Sequence, residues 1–226
     1  MTTHKLAIYD MDRTITHLPT WTPFLIAAAR TLAPWRLALL PVAGLAGLAY
    51  TARLIDRARL KQWTQAMLLG RSLRADDAAR VADDFAARVV ASGVFAGARA
   101  QIEADRAAGY RLVMATASYR FYAGAIAAQL GFDDTIGTET MTGAENAIVA
   151  RIAGENCYGP VKLRMIEDWM RGQAIGRKTS HIRFYSDHVS DAPVLEWADE
   201  AFAVNAHGPL RSLASKRGWT VLDWER

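Results

Sequence analysis

Residues 5–16 read KLAIYDMDRTIT. Lys5 to Tyr9 is a short apolar run containing Ile8 and Tyr9, types that favour extended backbone, and it ends at Asp10. An apolar run without polar alternation predicts a strand buried on both faces, the kind found inside a parallel sheet. Asp10 and Asp12 then stand two residues apart in the segment that leaves the strand.

Outward from this strand the pattern changes. From Thr20 to about Ala100, Ala, Leu and Arg dominate and apolar residues recur at helical spacing. Leu54, Ala58, Trp63, Met67 and Leu68 form one such series, and Ala79, Val81, Ala82, Phe85, Ala86 and Val89 form another. The segment predicts a block of several helices. Residues 95–108 predict one more, stopped by Gly109. Strand-like runs return at Arg111–Ala115, Ile182–Ser186, Ala201–Val204 and Trp219–Leu222. Helical stretches separate them at Tyr119–Leu130, Val161–Arg171 and Ala192–Trp197. Strands alternating with helices specify an α/β fold, a Rossmann-like parallel sheet core, and the early helical block reads as an inserted α-helical cap. The expected division is 1–18 with 101–226 for the core and 19–100 for the cap.

Composition agrees with an ordinary globular chain. Of 226 residues, 51% are hydrophobic and 22% charged, which excludes a disordered or collagen-like protein. Cys157 is the single cysteine, so no intrachain disulfide can form, and a reducing, cytoplasmic location is expected. The opening MTTHKLAIYD has no basic stretch leading into an apolar one, and no secretory signal peptide is expected. A net charge of +4 permits anionic ligands without indicating a nucleic-acid partner. Between Arg36 and Arg53 lie sixteen uncharged residues, LALLPVAGLAGLAYTA. The run is short for a span, contains Pro41 and is flanked by arginines. It reads as a buried or interfacial helix, and contact with a membrane surface stays open.

In an open α/β sheet, ligands bind beyond the carboxyl ends of the strands. The residues expected there are Asp10 and Asp12, Thr116 and Ser118, and Asp187 and Asp191, with Lys162 opening a helix nearby. Two carboxylates in one loop can divide labour, one attacking phosphorus and the other moving a proton. A strand-end hydroxyl beside backbone N–H groups suits a phosphoryl oxygen, and a lysine can balance a crowded carboxylate–phosphate site. Asp187 and Asp191 can present oxygen ligands to a hard cation. Taken singly, each part has a plainer role as a turn residue, a helix cap or a solvated lysine. Their occurrence in this order, each at an element boundary, is what singles them out.

These segments resemble the haloacid dehalogenase superfamily, in its phosphoserine-phosphatase-like branch. The resemblance rests on DMDRT at Asp10–Thr14, the hydroxyl of Thr116, Lys162 and DHVSD at Asp187–Asp191, and it covers essentially the whole chain. The stretch from Gly154 to Lys162 is similar to that branch's glycine-containing approach to its lysine. The resemblance implies a Mg²⁺-dependent phosphomonoesterase. Asp10 would form an aspartyl-phosphate, Asp12 would act as acid and then base, and Thr116 and Lys162 would hold the phosphoryl oxygens. Mg²⁺ would lie against Asp10, the Asp12 carbonyl and Asp187, with Asp191 orienting that shell or reaching the metal through water.

The resemblance departs from phosphoserine phosphatases near the substrate. Those enzymes carry an acid shortly after the first motif, whereas Ile15–Thr22 (ITHLPTWT) contains none and offers His17 and Trp21 instead. Where they have a glycine pair, this chain has Ala117-Ser118-Tyr119. Arg53, Arg57, Arg59 and Lys61 read either as contacts for an anionic substrate, Arg57 among them, or as a solvated basic helix face. The expectation is a small-molecule or lipid-like phosphoester other than phosphoserine. Phosphoserine itself, or a peripheral membrane or regulatory protein that keeps the fold, are the alternatives.

Overall fold

The computed structural model describes residues 4–224. The strands are β1 (His4–Tyr9), β2 (Ser72–Leu73), β3 (Arg111–Tyr119), β4 (Asp134–Thr142), β5 (Ile148–Ala153), β6 (Ser180–Ser186), β7 (Glu200–Val204) and β8 (Thr220–Leu222). The helices are α1 (Trp21–Leu32), α2 (Leu40–Thr51), α3 (Arg57–Leu68), α4 (Ala75–Ser92), α5 (Ala96–Ala107), α6 (Arg120–Gln129), α7 (Pro160–Gly172), α8 (Ala192–Trp197) and α9 (Gly208–Arg217). One sheet holds all these strands in the order β2-β5-β4-β3-β1-β6-β7-β8. The six from β4 to β8 pair in parallel, whereas β5 and β2 extend the sheet antiparallel beyond β4.

β1 shows why this sequence makes a central strand. Ala7 and Tyr9 join one buried layer with Leu112 and Met114 of β3. Leu6 and Ile8 join the opposite layer with Val113, Ile166 and Phe184. Side chains alternate across a strand, so a run apolar at every position must be covered on both faces. β3 is its partner on one side and β6 on the other, which makes the end of β1 the point where strand order reverses. Behind it, the buried carboxylate of Asp105 accepts from the hydroxyls of Tyr9 (2.6 Å) and Tyr185 (2.9 Å) and from Arg183 (2.6 Å), which satisfies polar groups within that layer.

Several expectations are corrected. β4 and β5 occupy a region read without strands, and α9 was not anticipated. β3 runs on through Thr116 to Tyr119, with a register irregularity between Ala115 and Tyr119, so Thr116 sits in an irregular strand rather than after one. The uncharged segment forms a short 3₁₀ turn at Pro34–Leu39 followed by α2, and Ala46 is its one buried residue. It is therefore a surface helix, not a buried one. α3 follows its apolar spacing only in part. Lys61, Gln65 and Leu68 face inward, while Leu54 just before the helix and Trp63 on it are exposed. Among the described residues, no helix is long and apolar enough to cross a membrane.

Candidate active site

The backbone after β1 brings its carboxylates to one place. The amide of Asp10 still donates to the Tyr185 carbonyl (2.9 Å), and Ile15 and Thr16 then bond back to the Met11 carbonyl in a tight turn. Arg13 takes a left-handed conformation (φ 62°) inside that turn. The Thr16 segment pairs with Val94 between α4 and α5, which fixes the turn against the helical block.

Asp10 is held unevenly. Its Oδ1 accepts from Lys162 Nζ at 2.8 Å, whereas Oδ2 has only a long 3.4 Å contact from the Thr14 hydroxyl. Lys162 also donates to Asp191 Oδ2 at 2.6 Å, and that oxygen accepts from Ser186 as well (2.8 Å). Asp191 Oδ1 is buried without a partner. The Thr14 hydroxyl also reaches Asp187 Oδ1 at 3.4 Å and accepts from the Asp187 amide at 2.9 Å. Lys162 enters this cluster from the first turn of α7, where Gly159 (φ 59°) permits the sharp entry into the helix.

Burial dominates the titration of these groups. It pushes Asp10 up to about 7, against the pull of Lys162 and with the help of Asp191 and Asp187. Burial likewise lifts Asp187 to about 6, despite Lys162. Burial alone would lower Lys162, but Asp10 and Asp191 outweigh it and keep the ammonium charged.

Asp12 is gripped by neutral donors. Its Oδ1 accepts from the Thr20 amide and hydroxyl, both at 2.8 Å, and its Oδ2 from the Ser118 hydroxyl at 3.0 Å. Tyr122 donates to Ser118 at 2.6 Å and lies 3.1 Å from the Thr20 hydroxyl. Burial raises the Asp12 carboxyl while the Thr20 and Ser118 bonds oppose it. Thr116 Oγ1 accepts from the Ser118 amide (3.1 Å), leaving its own proton free to donate. Asp10, Asp12, Thr116, Lys162, Asp187 and Asp191 all line one cleft of about 280 Å³.

Among the peripheral residues, Arg57 lines the same cleft, its guanidinium 4.2 Å from the Tyr158 ring centroid. Trp21 lines an adjoining cavity of about 180 Å³, which shares Asp12, Pro19, Arg57 and Ala117 with the cleft. His17 is not brought to either one. Its ring packs edge-on against Phe95 at 4.7 Å, and its Nε2 is buried without a partner. Sequence reasoning missed Thr20 and Tyr122, and it reads Lys61 either as a contact for an anionic substrate or as part of a solvated basic face. Lys61 is buried, donating to the Ala117 carbonyl (2.6 Å) and to Asn156 Oδ1 (2.9 Å). Its ammonium also lies 4.1 Å from the Tyr119 ring centroid.

Residues 7–196 match the haloacid dehalogenase-like hydrolases. The chain belongs to that family. A probable phosphatase of Mycobacterium tuberculosis is 33% identical over 138 residues, covering 61% of this chain and 47% of that protein. The chain thus spans about half the length of the curated relatives it matches. A protein of unknown function from Bordetella pertussis Tohama I superimposes with a TM-score of 0.86 at 25% identity, covering 98% of this chain and 99% of that one. A substrate-bound phosphoserine phosphatase superimposes with a TM-score of 0.63 at 14% identity over 98% and 94% of the two chains, a likeness of fold.

Proposed function

We propose that this chain hydrolyses phosphomonoesters through an aspartyl-phosphate on Asp10, with residues 19–100 as a cap over a core formed by 1–18 and 101–226. The observation that carries the reading is the uneven hold on Asp10, one oxygen bonded to Lys162 and the other nearly free in the cleft. A carboxylate fixed at one oxygen is oriented yet keeps a lone pair for attack. As the Asp10 oxygen bonds to phosphorus, the bond to the substrate alcohol breaks and Asp12 supplies its proton. Asp12 then takes a proton from water as the water oxygen bonds to phosphorus, the Asp10–phosphorus bond breaks to restore the Asp10 carboxylate, and inorganic phosphate leaves. The free Thr116 proton and Lys162 suit the phosphoryl oxygens.

The oxygen-rich donor set fits Mg²⁺. Asp10, Asp187 and the Asp12 carbonyl would hold it, and the unpartnered Asp191 Oδ1 supports an oxygen-seeking cation or its water nearby. Among the described residues, no three His, Cys, Asp or Glu side chains are spaced to enclose a metal unaided. Mg²⁺ is commonly bound by one or two carboxylates together with waters and substrate phosphate, so this is no obstacle. When bound, it neutralises charge between the Asp10 carboxylate and the phosphate. Trp21, Tyr50 and Leu60 make the adjoining cavity largely apolar, and Arg57 stands at its border with the cleft. That lining favours a leaving group with an apolar body and an anionic group over phosphoserine. Phosphate release from a broad phosphomonoester panel, with and without Mg²⁺, tests the reading. Release that depends on Mg²⁺ is expected; no release from any member with the metal present would refute it.

A further inference from the structure

The face of the helical block formed by α2 and α3 is built unlike the rest of the surface. Residues 30–74 carry eight Arg and Lys against a single acid, Asp56, while the rest of the chain has nineteen against twenty-two. α2 bears no charge, and Val42, Leu45 and Leu48 are 50%, 64% and 64% exposed. Trp63, from the outward side of α3, is 47% exposed. Val42, Leu45 and Trp63 edge an apolar groove of about 470 Å³ between the two helices, and Leu48 is exposed one turn further along α2. An exposed apolar patch of this kind on a helix pair marks an interaction surface.

What adjoins the groove identifies its occupant. A second groove, of about 530 Å³, shares Trp63 and Ala66 with the first and is lined by Arg59, Arg71 and Arg151. None of these arginines makes an ion pair among the described residues, and no acid lines either groove. Arg59 stands 6.0 Å from the Trp63 ring centroid. Apolar side chains flanked by tryptophan and unpaired arginine match the boundary of an anionic bilayer, where acyl chains lie beside phosphate headgroups. A twofold contact with a second copy would bring the same arginines toward each other, which like charge opposes. α2 has 12 residues, about 18 Å at the helical rise, so it can lie along a bilayer surface but cannot cross one.

We propose that the α2–α3 face docks on the surface of an anionic lipid bilayer. Leu45 and Leu48 enter the acyl boundary, and Arg59, Arg71 and Arg151 meet lipid phosphates. This docking is independent of the phosphatase reading, and its test reads binding rather than turnover. The purified full chain would be sedimented with phosphatidylcholine vesicles and with vesicles of phosphatidylcholine mixed with phosphatidylglycerol. The chain should pellet with the mixed vesicles and stay in solution with the neutral ones. Each arginine changed to Gln should weaken binding about fivefold and flatten its salt dependence. Leu45→Glu with Leu48→Glu should abolish binding while leaving the circular dichroism spectrum unchanged, since both side chains are largely exposed. Failure of the wild type to pellet with mixed vesicles would overturn the proposal, as would equal pelleting with neutral ones. So would undiminished binding by the leucine variant, or a wild-type dimer that Leu45→Glu splits while vesicles remain unbound.

Discussion

The Lys61 ammonium, on α3, lies 2.6 Å from the carbonyl oxygen of Ala117, the residue after Thr116 in β3. It joins the helical block to the strand that carries Thr116, the hydroxyl proposed to meet the phosphoryl group. Burial, opposed by Cys157 and Asp12 and aided by Arg57, lowers Lys61 to about 7. A lysine depressed in the folded state binds fewer protons there than in the unfolded chain between about pH 7 and about pH 10.5. Its contribution to stability should therefore rise with pH across that window. Lys61→Met removes the titration while keeping the stem. Denaturant titrations should show wild type gaining on Lys61→Met by a few kcal/mol as pH rises from about 7 to about 10. Curves that stay parallel would show that burial does not govern this lysine.

Asp10→Asn should stop turnover, lowering kcat on the order of 10⁴-fold or more, since an amide lacks the nucleophilic oxygen anion. The fold should persist because Lys162 keeps Asp191 as its partner. Relief of carboxylate crowding should leave Tm unchanged or raised. Appreciable activity in a preparation free of wild type would remove Asp10 from the nucleophile's role.

Asp12→Asn tests a different step. Thr20 and Ser118 would still hold the side chain, so geometry should survive while proton transfer is lost. Acid quench with radiolabelled substrate should find a phosphoenzyme that forms slowly, decays slowly, or does both. Formation and decay at wild-type rates would assign the proton transfer elsewhere.

How much of this was legible depended on where sequence and burial run together. Leu6–Tyr9 are apolar because both faces of β1 are covered, so the central strand and its acids followed directly from the residues. The IVARIA run of β5 carries a strand signal that went unread, whereas β4 was not legible because Asp134–Thr142 is rich in polar residues and contains Gly137. Its outer half is ordered by antiparallel pairing with β5, a tertiary effect. α3 misled for a related reason. Its buried face carries Lys61 and Gln65 beside Leu68, and its apolar Trp63 points outward, so hydrophobic spacing located that face only in part. Thr20 gave no signal as the anchor of Asp12, since seven intervening residues hide a contact made by a folded turn.

The raised carboxyls of Asp10 and Asp187 predict how a metal and protons compete. Carboxyls raised in the folded state bind more protons there than when unfolded, between the usual carboxylate range and about pH 6 to 7. Their contribution to stability should therefore fall as pH climbs through that interval. Mg²⁺ binds the ionised forms and relieves this cost. Thermal melts should show a larger Mg²⁺-induced rise in Tm near about pH 8 than near about pH 5. An equal rise at both would mean the cation binds elsewhere.

The cap should govern substrate choice and leave the chemistry alone. Trp21 and Arg57 both line the cavity beside Asp12, on the side where a leaving group would sit, and neither hydrogen-bonds to the Asp10–Lys162 pair. Trp21 also has a packing role: its indole donates to Thr64 (3.2 Å) and its ring lies 5.0 Å, centroid to centroid, from Tyr119. Truncation to alanine would confuse lost packing with lost recognition, and Trp21→Phe separates them better. Arg57 is exposed and makes no ion pair among the described residues, so Arg57→Gln should fold normally. For the preferred phosphoester, each variant should raise KM about tenfold with a smaller change in kcat, the mark of binding lost equally in ground and transition states. For a small aryl phosphate, which asks little of the cavity, kcat/KM should change less than about threefold. A matching loss on both substrates would place these residues in the chemistry. A panel in which phosphoserine is by far the best substrate would show that the apolar cavity does not select the leaving group.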